Sequence, residues 1–248
     1  MASADFLGGK IKLAQARTGH RAGTDAILLA ALVEPRDADL VIDAGAGTGA
    51  AGLCVAARFA EARLRLVEID ADHVTLAEDN IAENGFSSRM SVIKADLFDD
   101  FAAREALGLT QEDATCVITN PPFLDLARDR STPDPDKARA HVMPEGGLAR
   151  WIKSCRAMLA PHGRFHLIHR ADRLTDVLDA VVVGFGALTI RPVYPRPQET
   201  ASRILVSAVK GSRAPLKIAP GFILHEADGR FTPEADALHR GLAGFSAD

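Results

Sequence analysis

The stretch 117-VITNPPFLDL-126 is a β-type run that stops at Asn120, Pro121, Pro122 and Phe123. Proline fixes its own φ, offers no N–H, and holds the residue before it extended. Asn120 and Pro121 are therefore both held extended where the strand ends. The corner presents the amide oxygen of Asn120 and a rigidly aimed Pro121 carbonyl. Two such acceptors suit a planar amino group, whose lone pair is delocalised into a π-system. Accepting from both N–H bonds helps to rehybridise the nitrogen and aim its lone pair. Phe123 adds a face on which a flipped-out planar group can stack. Positioning of this kind, without a strong base, can supply much of a rate. In isolation the same residues read as a strand-terminating Asn-Pro turn.

A second group of residues changes that balance. The sequence 43-DAGAGTGAAG-52 follows an apolar strand and opens a helix. Gly45, Gly47 and Gly49 permit a tight turn and close backbone approach to a ligand. A dinucleotide fingerprint would read G-x-G-x-x-G, whereas this one reads G-x-G-x-G after Asp43. A carboxylate at that strand end repels a pyrophosphate and suits an ammonium. S-adenosylmethionine carries an ammonium and a sulfonium, and no phosphate. Glu68, at the end of the next strand, can accept from both ribose hydroxyls. It lies near the usual offset of about 20 residues from the glycine turn. Asp96, in 95-ADLF-98, can accept from an adenine amino group. Three acids thus fall at the ends of three consecutive strands, on the side where open α/β sheets bind ligands.

The elements that would position these residues alternate. Strands are expected over 39–45, 63–70, 90–96, 114–120, 164–170, 187–193 and 203–210. Helices are expected over 26–33, 50–60, 71–84, 146–160 and 171–183, with a C-terminal stop at Asn84 and Gly85. Pro161-His162-Gly163 reads as a turn. Alternation of this kind argues for a mostly parallel sheet covered on both faces, an α/β fold. Residues 125–145 form a long polar loop, usually a functional feature inside a compact domain. The tail beyond Lys210 carries Pro215, Pro220 and Pro233 and reads as irregular and packed on the core.

Composition narrows the class. The apolar fraction of 47% supports a sizeable core, and the apolar runs are too short to span a bilayer. MASADFLGGKIK has no secretory h-region. Cys54, Cys116 and Cys155 form no CxxC pair and read as reduced core thiols. A cytoplasmic chain with no metal and no membrane segment is expected. Net charge is −4, but residues 151–217 hold 11 Lys and Arg against 4 Asp and Glu. That segment either tracks a phosphate backbone or is scattered solvated charge. Lys10, Lys12, Arg17 and Arg21 on one side, and Arg191, Arg196 and Arg203 on the other, could flank the site. Loop residues Arg128, Arg130, Lys137 and Arg139 are offset by neighbouring acids.

DAGAGTG, VEID, KADLF and NPPF, in that order and spacing, resemble the class I S-adenosylmethionine-dependent methyltransferases with an N/D-P-P-Y/F motif. The stretch 20-HRAGTDAILLAALV-33 looks like the G-T-D-x-x-L-L segment of bacterial adenine-N6 methyltransferases acting on valine tRNA. Residues 199–211 and 221–235 resemble the C-terminal part of the same group. The resemblance implies a Rossmann-like, doubly wound sheet of seven strands with one antiparallel edge strand. It implies a single domain: a closing segment over 1–35, a core over 36–211 and a packed tail over 212–248. It places Asp43, Gly45, Gly47 and Gly49 on the methionine part, with Thr24 and Asp25 closing over it. Glu68 falls on the ribose, Ile69 on the cofactor beside it, and Asp96 and Leu97 at the adenine. Asn120, Pro121, Pro122 and Phe123 hold the target amine, with Asn120 also at the cofactor. The implied partner is an RNA, with tRNA foremost. Glutamine amides of proteins, guanine N2, a small-molecule amine, a NAD-dependent oxidoreductase and a binding protein without activity stay open as alternatives.

Overall fold

Runs such as 40-LVIDA-44 and 114-ATCVIT-119 lack polar alternation and suit strands covered on both faces. The computed structural model, which describes residues 3–15, 23–34, 40–122, 124–125, 142–143 and 146–245, places them at the centre of one sheet. A short hairpin, β1 (Ala4–Phe6) and β2 (Ile11–Leu13), comes first, followed by α1 (Thr24–Ala31). The core then alternates: β3 (Leu40–Ala44), α2 (Ala50–Arg58), β4 (Arg63–Glu68), α3 (Ala71–Glu83), β5 (Met90–Lys94), α4 (Phe101–Ala106) and β6 (Ala114–Thr119). Two-residue strands β7 (Leu124–Asp125) and β8 (Val142–Met143) pair with each other. They are followed by α5 (Gly147–Met158), β9 (Leu159–Arg170), α6 (Leu174–Val181), β10 (Phe185–Tyr194) and β11 (Arg203–Lys210). The tail contributes β12 (Lys217–Ile218), β13 (Phe222–Ile223) and α7 (Pro233–His239).

The main sheet runs β12-β10-β11-β9-β6-β3-β4-β5, with β13 also pairing β10. Its seven long strands are the seven expected, all parallel except β11, which runs antiparallel to β9 and β10 on one side of the sheet. One face is covered by α1, α2 and α3, whose apolar residues join Val41, Leu64 and Cys116. The other is covered by α5 and α6, which pack on Ile42, Val67 and Phe165. Cys54, Cys116 and Cys155 are buried and unbridged. Among the described residues no helix is long and apolar enough to cross a membrane.

The structure adds to this reading in three places. The turn at Pro161-His162-Gly163 lies inside β9. There His162 has a φ of 62° and the register against β6 shifts between Ala114 and Cys116, so a bulge absorbs the turn. Helix α4 is too short to show periodicity, and Asp100 starts it by accepting from Ala103 N at 2.9 Å. The tail is largely irregular, as expected, but carries one short helix: Thr232 caps α7 with Pro233 in its first turn, a start signal legible in the sequence.

One contact ties the N-terminal segment to the core. Asn80 lies on α3 and Asn84 caps it one turn later, and both amides grip the chain at β2 and just past it. Asn84 accepts from Lys12 N at 2.8 Å and donates to Lys12 O at 2.7 Å. Asn80 does the same with Ala14, at 2.7 and 3.0 Å, and also donates to Thr48 O at 2.9 Å. Four helical residues rise about 6 Å and two extended residues about 6.6 Å. The two amides therefore replace a missing strand partner, rung for rung. Asn80 is fully buried. Asn80→Ala strands one N–H and two carbonyls and should lower stability by on the order of 3 kcal/mol in urea denaturation. A loss below about 0.5 kcal/mol would show that the clasp contributes nothing.

Candidate functional site

Register decides which residues meet. Ala44 pairs with Val67 on β4 and with Thr119 on β6, and Glu68 pairs with Lys94 on β5. The residues just past that line are the glycine turn, the Glu68 carboxylate, Asp96 and Asn120. Four neighbouring parallel strands thus deliver them to one edge, the crevice beyond the carboxyl ends.

The glycine turn is held by carboxylates. Gly45, Gly47 and Gly49 all have positive φ, at 74°, 55° and 85°. Asp43 is buried, and its Oδ2 accepts from Gly52 N, in the first turn of α2, at 2.9 Å. Glu68 Oε2 accepts from Gly47 N at 2.8 Å, while Oε1 accepts from Ile69 N at 2.9 Å and Asp70 N at 3.0 Å. Three of its roughly four acceptor directions are used. A ribose hydroxyl can take the remaining one, and a second must displace an N–H. The methylene face of Gly47 looks onto open space.

Asp96 makes a tight turn, with Oδ1 accepting from Phe98 N at 2.7 Å. Leu97 is buried, and its carbonyl accepts from Ser154 Oγ at 2.6 Å. Ile69 is 57% exposed, an apolar side chain left uncovered beside Glu68. At the fourth strand end, Pro121 is buried and Asn120 and Pro122 are partly so. The Oδ1 of Asn120 is buried and accepts no hydrogen bond among the described residues. Phe123 lies outside the described residues.

Thr24 and Asp25 begin α1 and face the end of the chain. Asp25 pairs with Arg203 Nε at 3.0 Å, and Thr24 Oγ1 lies 3.2 Å from His239 Nε2. His239 Nδ1 lies 2.8 Å from Ala235 O, which can only accept, so Nε2 is the acceptor for Thr24. Burial holds His239 below the ordinary histidine range, which keeps it neutral near pH 7. Arg203 and Asp25 sit at the site's edge of the sheet, because Arg203 pairs with Arg170 at the end of β9.

The other flanking cations also have partners. Lys10 donates to Gly241 O at 2.6 Å, Lys12 pairs with Asp5, and Arg196 pairs with Glu199 at 3.3 Å. Arg191 donates to Pro220 O at 2.9 Å and lies over the Phe245 ring. Arg17, Arg21, Arg128, Arg130, Lys137 and Arg139 lie outside the described residues. The sequence reading missed Trp151 and Thr119, whose links to the site are long-range. Their one local hint is that Trp151 is the chain's single tryptophan.

Burial pushes the Asp43 carboxyl up to about 7. The Gly52 N–H offsets part of this, and the nearby Glu68 charge adds to it. The folded chain therefore keeps a proton that the unfolded chain sheds near the ordinary value of 3.8. Its contribution to stability is complete below that value and is lost as pH rises through about 7. Asp43→Asn should flatten the fall in stability between pH 4 and 7, and leave the variant more stable at pH 8 by up to roughly 4 kcal/mol. Urea denaturation across that range checks this; an unchanged slope would refute it.

Comparisons with known proteins agree with this geometry. The methyltransferase small domain family matches residues 21–182. A Porphyromonas gingivalis protein named tRNA1(Val) (adenine(37)-N6)-methyltransferase is 31% identical over 86% of this chain and 85% of its own. A Tolumonas auensis protein of the same name is 27% identical over 90% of each. Among solved structures, a chain described as a predicted O-methyltransferase from Agrobacterium tumefaciens has a TM-score of 0.77 and 34% identity. It covers 90% of this chain and 99% of its own. The glycine turn, the acidic strand ends and the Asn-Pro-Pro corner all lie within the matched span, and this chain belongs to the methyltransferase small domain family.

Proposed function

We propose that this methyltransferase moves a methyl group from S-adenosylmethionine to an exocyclic amino nitrogen, with adenine N6 of a tRNA as the target. The observation that carries the reading is the buried, unpartnered Oδ1 of Asn120. A buried acceptor without a donor costs about 1–3 kcal/mol. A donor arriving with the substrate would recover that loss, and an amino N–H is such a donor.

The residues fit the cofactor. Bound S-adenosylmethionine supplies an electrophilic methyl group on a cationic sulfur. Glu68 and Asp43 lie under the glycine turn, and a cation placed there favours the ionised form of Asp43, which suits the ammonium and sulfonium. Gly47 leaves room for close approach, Glu68 meets the ribose, and Ile69 offers an apolar face to the adenine. The second oxygen of Asp96 takes the adenine amino group, beside Leu97. Thr24 and Asp25, fixed by His239 and Arg203, bring the amino end of α1 to the same edge. Asn120 Oδ1 and the Pro121 carbonyl accept the two N–H bonds of the target, Phe123 stacks on its ring, and the nitrogen lone pair points at the methyl. As the N–C bond forms and the C–S bond breaks, the nitrogen becomes acidic and sheds one proton to water.

The names of the relatives support a tRNA substrate. So does Arg150, whose guanidinium lies over the Phe98 ring at 4.8 Å, beside the adenine segment. Arg150 and Lys153, one turn apart on α5, are exposed and make no ion pair among the described residues. They are suited to phosphate contacts.

Tritiated methyl transfer to total RNA and total protein, followed by nucleoside analysis, tests the reading. N6-methyladenosine in small RNA is expected. Label in protein, or on a ribose oxygen as the Agrobacterium description would suggest, would overturn it. Asn120→Ala should lower kcat by roughly 100-fold or more while cofactor affinity, read by calorimetry, stays within about threefold (about 0.7 kcal/mol). Wild-type turnover in that variant would sink the amine clamp.

A further inference from the structure

Trp151 meets the glycine turn, the segment after Asp96 and the residue before Asn120. Its ring lies on Gly45: a Cβ there would sit 2.7 Å from Cζ2 and 2.8 Å from Cη2 of the indole. No residue but glycine fits beneath it. Its Nε1 donates to Thr119 Oγ1 at 2.9 Å, and Thr119 Oγ1 donates to Ala44 O at 2.8 Å. The directions are fixed, since an indole N–H can only donate and a carbonyl can only accept. Thr119 is fully buried and immediately precedes Asn120. Phe98 meets the indole edge to face, with centroids 5.9 Å apart at 67°. Ser154, on the same face of α5 one turn later, binds the Leu97 carbonyl. One side chain therefore links the methionine turn, the adenine segment and the strand end that carries the amine clamp.

We propose that Trp151 is a positioning residue that sets Asn120 relative to the glycine turn, so that the cofactor pocket and the amine clamp hold one fixed geometry. The proposal rests on the cofactor and amine assignments above. The chain from the Trp151 N–H through the Thr119 hydroxyl to Ala44 O crosses from β6 to β3, the strand pair that separates acceptor from methyl donor. Without it, the Thr119 hydroxyl loses the donor that fixes its rotamer, and the peptide leading into Asn120 loses a brace. A misplacement of about 1 Å at a reacting centre can cost about 100-fold in rate. The indole face has a separate task, covering Gly45, so its N–H and its ring make different contributions.

That separation supplies the test. Trp151→Phe keeps an aromatic ring over Gly45 and removes the N–H, while Thr119→Val removes the hydroxyl at nearly constant volume. Each should lower kcat by about tenfold, with cofactor affinity within about threefold. The double variant should be no slower than the slower single one, because both break the same chain. Thr119→Ser, which restores the hydroxyl, should recover most of the rate. Trp151→Leu should weaken cofactor binding as well. Wild-type kcat in Trp151→Phe would overturn the proposal. So would Thr119→Ser as slow as Thr119→Val, fully additive losses in the double variant, or affinity falling in step with kcat in the two conservative variants. Wild-type protein that transfers no methyl group in the same assay would instead refute the functional reading, and this proposal with it.

Discussion

Two carboxylates buried side by side under a turn of glycines set the terms for everything around them. Asp43 and Glu68 lie at the ends of adjacent strands, both are buried, and the Glu68 charge adds to the cost of ionising Asp43. Such a pair is tolerable only if backbone N–H groups turn toward it, and the positive φ of the three glycines is what lets the turn do so. Gly52 serves Asp43, and Gly47, Ile69 and Asp70 serve Glu68. Strand ends, turn and first helical turn are thereby locked together before any ligand arrives. The compensation is incomplete, because Asp43 holds its proton to about pH 7. A cation placed over the turn would complete it, so the same feature that strains the apo site favours a positively charged ligand.

What the sequence revealed divides by range. The glycine turn, the acids at the strand ends and the Asn-Pro-Pro corner are local: each forces an unusual backbone within a few residues, and periodicity places each on a strand. The contacts that brace them are distant. Thr24 meets a histidine 215 residues away, Asp25 an arginine 178 away, and Trp151 a threonine 32 away. No spacing rule names such partners. Asn84 shows the middle case. Its role as helix stop was legible from the Asn-Gly pair, but its grip on Lys12 depends on a strand that had no visible partner.

The basic segment 151–217 shows how charge misleads when read alone. Its excess of Lys and Arg fits either a phosphate track or scattered solvated charge. In the fold, Arg164 binds the Glu34 carbonyl, Arg156 the Val183 carbonyl, and Lys210 both Glu112 and the Leu159 carbonyl. Arg170, Arg173, Arg196 and Arg203 pair with acids. Most of the excess is spent holding helices and strand ends in place. Arg150 lies just outside that segment and stacks on Phe98, so it is better placed for a polyanion than the stretch that composition singled out.

The proposed nitrogen target rests on the acceptor rather than on the fold. Rossmann-like methyltransferases act on oxygen, carbon and nitrogen, and one similar chain is described as a predicted O-methyltransferase. An amide oxygen is a weak base. It cannot take a proton from a hydroxyl before attack, as oxygen methylation at neutral pH usually demands. It can accept an N–H from an amine that keeps both protons until the new bond forms and loses one only once it is cationic. A buried asparagine oxygen with no donor of its own, next to a proline carbonyl on a stiff corner, therefore favours nitrogen over oxygen. Asp43 and Glu68, which hold the glycine turn, lie one and two strands away from that corner, on β3 and β4. On the proposed reading the chemistry is divided between the strands: carboxylates on β3 and β4 for the donor, neutral acceptors at the end of β6 for the nucleophile.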